Sequence, residues 1–247
     1  MLLLFSLFLF LITLLGGSVP LWSTGWREQR MKYLLAFSGS FLLSITLLHL
    51  VPETMSEMGP GHLTGGLILA GFFLQQIIQR ITHGVEHGHA HIHAHEPVAY
   101  IPVFAGLTVH AISEGLPLGI SYNDTATLPS LYLAVALHKL PEAMLITSLV
   151  FIATGNKAKS WRLLILFSLT TPLSALLTTY LGSKSAAWES LIHLSVPVVA
   201  GAFLHIATTI FFESGTKSHD MNRNKWLATL GGIAAALLTL LGDNHVH

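Results

Sequence analysis

Leu137-His138-Lys139-Leu140-Pro141-Glu142-Ala143-Met144 sits at the centre of an apolar run that extends from residue 129 to residue 153. About 20 predominantly apolar residues in α-helix span the hydrocarbon core of a bilayer, so a run of this length reads as a membrane-crossing helix. Ionisable side chains at such a depth cost roughly 3 kcal/mol each on insertion scales, so each one needs a partner, an ion or a water-filled cavity. The preceding apolar run, residues 99–122, carries the counterpart Val109-His110-Ala111-Ile112-Ser113-Glu114-Gly115-Leu116-Pro117. His110/Glu114 and His138/Glu142 are both spaced i,i+4, which stacks each pair on one helix face. Consecutive spans run antiparallel, and residues 110 and 142 lie about halfway along theirs, so the two pairs can meet near the midplane.

Two imidazoles and two carboxylates form a nitrogen and oxygen donor set suited to Zn²⁺ and acceptable to Fe²⁺, Mn²⁺, Co²⁺ or Cd²⁺. Pro117 and Pro141 stand beside these residues. A proline inside a helix frees a carbonyl and permits a kink, and bent helices at midplane are typical of transporter substrate sites.

The whole chain supports this reading. Of its 247 residues, 52% are hydrophobic and 10% charged, whereas a soluble domain carries about 25% charged residues. Apolar stretches fall at about residues 1–20, 33–52, 63–82, 99–122, 129–153, 161–182, 188–212 and 226–242, which predicts an all-α membrane protein of eight transmembrane helices in one domain, 1–247. The first stretch lacks a basic n-region and an A-x-A-like site, and is expected to be a retained helix rather than a signal peptide. A net charge of zero with neutral histidine gives no reason to expect nucleic-acid binding, and the absence of cysteine excludes disulfides and thiolate metal sites. The expected partners are a divalent metal ion and the lipid bilayer. A homodimer is left open.

Basic residues fix the expected orientation, because cytoplasmic loops are enriched in them. With the N-terminus outside, the cytoplasmic side receives Arg27, Arg30, Lys32, Arg80, Lys157, Lys159, Arg162, Lys217, Arg223 and Lys225. The other side receives only Lys184, and Lys139 lies within a span. Both termini are therefore expected outside.

Further histidines flank the centre. The segment from His83 to Glu96 contains His83, His87, His89, His91, His93 and His95, and its glycines and alternating histidines suit a cytoplasmic chelating loop better than a helix face. At the outer end of the second span, His49 and Glu53 repeat the i,i+4 spacing and are followed by Glu57 and His62, a candidate entrance or a polar helix end meeting water. His205, near the middle of the seventh span, and Glu213, at its cytoplasmic end, are candidates for an exit route. His193, near the outer end of that span, reads as interfacial. Glycines such as Gly65-Gly66, Gly71, Gly201 and Gly231-Gly232 are expected to let helices approach closely.

These residues resemble the signature of the ZIP (Zrt/Irt-like) family of metal-ion transporters. The family's fourth-helix pattern, H-N-x-x-E-G, is met by His110-Ala111-Ile112-Ser113-Glu114-Gly115, and its fifth-helix pattern, H-[ND]-x-P-E-G, by His138-Lys139-Leu140-Pro141-Glu142-Ala143. The resemblance implies eight helices in a 3+2+3 arrangement, both termini outside, a His-rich loop after the third helix, and zinc carried towards the cytoplasm as substrate, with no catalytic cofactor. It also implies an elevator-like or rocking movement between helix groups.

Two departures matter. Members with two metals use the Asn or Asp after each histidine and an acidic residue on the sixth helix, but this chain has Ala111 and Lys139 there and no carboxylate between Trp161 and Lys184. The expectation is that the Lys139 ammonium stands in for a second cation and pairs with Glu114 or Glu142. One transported metal is then held by His110, Glu114, His138 and Glu142. An intramembrane metalloenzyme is the rival class, but the H-E-x-x-H of a zinc protease is absent. A metal sensor that binds without moving the ion is compatible with the same residues.

Overall fold

The computed structural model describes residues 2–22, 28–81, 100–120, 128–213 and 222–243, and the described residues contain helices and no strand. In a bilayer every backbone polar group must be satisfied internally, which leaves helices as the solution for sequences of this kind. The helices are α1 (Leu2–Trp22), α2 (Glu28–Ile45), a π-helical turn (Thr46–Leu50), α3 (Val51–Met58), α4 (His62–Ile81), α5 (Tyr100–Ile120), α6 (Leu128–Thr154), α7 (Lys157–Gly182), α8 (Ala186–Glu213) and α9 (Arg223–Asp243). Since α2, the π turn and α3 are continuous, the described residues form eight rods. Among the described residues six of these are long and apolar enough to cross a membrane, and α4, with Gln75, Gln76, Gln79 and Arg80, is more polar.

The second rod corrects the expected end at residue 52. Pro52 lacks an N–H and its ring crowds the carbonyl four residues back, which ordinarily stops or kinks a helix. Here the preceding turn widens instead, with the Val51 N–H bonding to the Thr46 carbonyl, and the helix continues to Met58. Tight connections are made elsewhere by glycine: Gly155, at φ 62°, ends α6, and Asn156 Oδ1 accepts from the Lys159 N–H at 3.0 Å to cap α7.

The rods pack in two groups. In the first, α1 lies along α6 and α7, and α5 lies along α7. Thr147 of α6 donates to the Gly17 carbonyl at 2.6 Å, while Thr171, Ser174 and Thr179 of α7 donate to the carbonyls of Ala111, Ile112 and Gly119 at 3.0, 2.6 and 2.8 Å. In the second group α4 lies along α8, and α2 along α9 and α8. Gly71 and Gly201 make the α4–α8 contact, since a Cβ at either would collide with the carbonyl of Val198 or Ile68. Gly232 meets Phe37 and Ser40 in the same way. Gly65 and Gly66, expected to serve packing, face open space.

Two apolar clusters divide the interior. One gathers Val103, Leu107 and Ala111 of α5 with Ala143, Ile146, Leu149 and Val150 of α6 and Leu164 and Phe167 of α7. The other gathers Leu118 of α5 and Leu131, Tyr132, Ala134, Val135 and Ala136 of α6 with residues of α1, α2, α7, α8 and α9. Between them, where α5 crosses α6, lie the ionisable side chains.

Candidate metal centre

His110 is the middle residue of α5, and His138 and Glu142 straddle the middle of α6. At 1.5 Å per residue, each is at least about 15 Å from the end of its helix. The i,i+4 spacing turns His110 and Glu114 onto one face of α5, and His138 and Glu142 onto one face of α6. The two faces meet in antiparallel register, 110 opposite 142 and 114 opposite 138.

His110 Nε2 lies 3.0 Å from Glu114 Oε1 and 3.1 Å from Glu142 Oε1, and His138 Nε2 lies 3.1 Å from Glu142 Oε1 and 3.8 Å from Glu114 Oε1. All four side chains are at most 3% exposed. Nδ1 of both histidines has no hydrogen-bond partner among the described residues. Buried polar atoms without such partners are rare and call for an explanation. Zinc bonds of about 2.0–2.1 Å in tetrahedral geometry place neighbouring donors about 3.3 Å apart. The four nitrogen–oxygen spacings bracket that value, and all four donor atoms lie within 4.8 Å of one another, a group that could hold a metal ion.

The outer oxygens of the carboxylates have a different partner. Lys139 Nζ is in ion-pair contact with Glu114 Oε2 and lies 2.8 Å from Glu142 Oε2. Each glutamate therefore spends one oxygen on the ammonium and turns the other towards the histidines. Lys139 is fully buried, a state in which a lysine needs charged partners, and the two carboxylates supply them.

The remaining sequence candidates are placed elsewhere. His49 is buried in the π turn rather than exposed at a helix end, Glu53 is half-buried on α3, and His62 opens α4 exposed to solvent. Glu57 Oε2 lies 3.3 Å from Nδ1 of His193, joining the end of α3 to the start of α8. That pairing was invisible in sequence, where the two residues stand 136 positions apart. His205 is buried on the face of α8 turned to α4, with its ring edge-on to Phe72 at 4.8 Å and Nδ1 3.5 Å from Thr209 Oγ1. Glu213 ends α8, its side chain outside the described residues, as are His83, His87, His89, His91, His93 and His95. Ala111 is buried, its carbonyl taken by Thr171. Phe167 is a contributor that sequence reasoning missed, for its ring lies under Lys139 Nζ at 4.7 Å from the centroid.

Residues 82–240, which include the whole α5–α6 crossing, match the family model described as ZIP zinc transporter. The chain belongs to the ZIP zinc transporter family. Among curated ZIP proteins it is 32% identical over 148 residues to zinc transporter ZIP9-B of Xenopus laevis, covering 55% of this chain and 48% of that protein. It is 28% identical over 158 residues to zinc transporter ZIP9 of Xenopus tropicalis, covering 57% and 52%. Zinc transporter ZIP9 of Macaca fascicularis is 32% identical over 158 residues, covering 57% of this chain and 67% of that protein. The chain thus spans about half the length of the two frog relatives. Membership and the six apolar helices together make this ZIP chain a multi-pass integral membrane protein, of a family of transporters rather than enzymes.

Proposed function

We propose that this ZIP chain carries a divalent transition-metal ion, zinc first among them, across its membrane towards the cytoplasm. The observation that carries the proposal is the convergence of four buried donor atoms from two antiparallel helices at zinc-sized spacing, halfway through the bundle. In this reading His110, Glu114, His138 and Glu142 replace the water shell of the ion. The carboxylates offset its charge where the low dielectric would otherwise forbid it. Lys139 stands where a second cation would balance the two carboxylates. All eight rods cross the bilayer in this reading, α4 and α9 using neighbouring helices to shelter their polar residues, with both termini outside and a 3+2+3 arrangement.

The apolar clusters that flank the centre among the described residues support reading this arrangement as an occluded stage of the cycle. Release then requires one helix group to move against the other. The hydroxyl-to-carbonyl bonds that tie α7 to α5 and α6 to α1 favour movement of that group as a unit, because sliding within it would break several buried hydrogen bonds. The relatives' printed names, zinc transporters, support zinc as cargo.

The test is uptake of radioactive zinc into proteoliposomes by the wild type, His110→Ala and Glu142→Ala. Uptake that survives in both variants removes the centre from the pathway. Binding without any flux in the wild type makes the chain a sensor.

A further inference from the structure

An ammonium group has three N–H donors. Lys139 directs its nitrogen at the Oε2 atoms of Glu114 and Glu142 on one side, and on the other it lies over the face of Phe167, 4.7 Å from the ring centroid. The ring quadrupole attracts a cation held there, and the attraction is strongest where water is excluded. Phe167 is 1% exposed and shares its apolar cluster with Ala111, Ala143 and Leu164. The ammonium is therefore enclosed by carboxylate oxygens on one side and by hydrocarbon and a π face on the other. A divalent ion placed in its stead would meet the two outer carboxylate oxygens and the face of the Phe167 ring. Such an ion takes four or more donors, water included, and an aromatic ring on one side leaves no room there for the water that would complete the two carboxylate oxygens.

We propose that Phe167 is the positioning residue that holds Lys139 as a built-in cation and closes the space behind it, so that the centre accepts one divalent ion per chain and no second. The inference rests on the metal-centre reading. It adds a residue from α7 that acts through Lys139, and it makes the number of ions a property of a lysine and an aromatic ring acting together.

Anomalous scattering from crystals of the full chain soaked in Cd²⁺ counts ions at the α5–α6 crossing separately from any held by the histidine loop. The wild type should show one ion there, Lys139→Asp should still show one, and Lys139→Asp combined with Phe167→Glu should show two. Two ions in Lys139→Asp with Phe167 intact, or one in the double variant, overturns the role of Phe167 and leaves the metal centre standing. No ion in the wild type removes the metal centre, and this inference with it.

A second measurement covers failure of those variants to fold. The Zn²⁺ concentration for half-maximal uptake should rise roughly three- to thirtyfold in Phe167→Leu, which keeps the bulk and loses the π face, and stay within about twofold of wild type in Phe167→Tyr, which keeps the ring. An unchanged value in Phe167→Leu overturns the proposal, as does an equal rise in both variants.

Discussion

The α5–α6 crossing and the corner where α3 meets α8 both bring histidine and glutamate side chains of different helices together. At the crossing, four such side chains and a lysine are almost completely enclosed, and their charges are arranged in layers: imidazoles, then carboxylates, then ammonium. At the corner, Glu57 and His193 retain about two-fifths of their exposure, and a single contact of 3.3 Å joins them. A contact between histidine and glutamate alone therefore does not make a site. Burial does, because it removes the water that would otherwise compete for every donor and leaves the side chains dependent on one another.

Four experiments break or sharpen that contrast, in falling order of effect. Lys139→Met strips the buried carboxylates of their cation and should cost about 3–5 kcal/mol of stability, read as a lowered midpoint of thermal unfolding in detergent. A midpoint within a degree or two of wild type would mean that the carboxylates do not need the ammonium. His110→Ala should lower zinc uptake by about 100-fold or more, since even residues that merely orient metal ligands commonly contribute 10–100-fold. Gly201→Val forces a side chain into the Ile68 carbonyl and should cost about 1–3 kcal/mol through separation of α4 from α8, with the zinc affinity of the folded fraction unchanged. At the exposed corner, Glu57→Gln should change stability by at most about 1 kcal/mol and shift half-maximal uptake less than fivefold, with salt erasing the difference. Loss of transport there as complete as at His110 would abolish the distinction between the two regions.

Acidity acts on the crossing in one direction. Metal ligands must be deprotonated, so zinc affinity should fall as pH falls and recover on return to neutrality. Titration of zinc uptake against pH in wild type and Glu57→Gln should give parallel curves, because the corner contributes little to binding.

The centre was legible because ionisable residues in apolar helices stand out against their surroundings, and because i,i+4 spacing, antiparallel direction and equal depth leave few ways to arrange them. The second partner of Lys139 was open in sequence: Glu114 or Glu142 could be named, and the structure has it touch both. Phe167 gave no signal, since one aromatic residue in an apolar helix looks like any other until the fold sets a cation on its face. Continuation of the second rod past residue 52 was not legible, because widening of the turn before Pro52 depends on neighbours that only the tertiary structure supplies. The same holds for Gly65 and Gly66, whose small size permits a close contact without creating one.

The dry clusters above and below the crossing also set the pace of the molecule. Among the described residues, apolar side chains pack on both sides of the centre, an arrangement suited to a carrier rather than to a pore in which ions queue and push one another through. Each passenger must wait for a collective rearrangement on the microsecond-to-millisecond scale or slower, and the empty carrier must reset before the next. Flux should therefore saturate with concentration and quicken steeply on warming, as expected of a machine that counts its cargo one ion at a time.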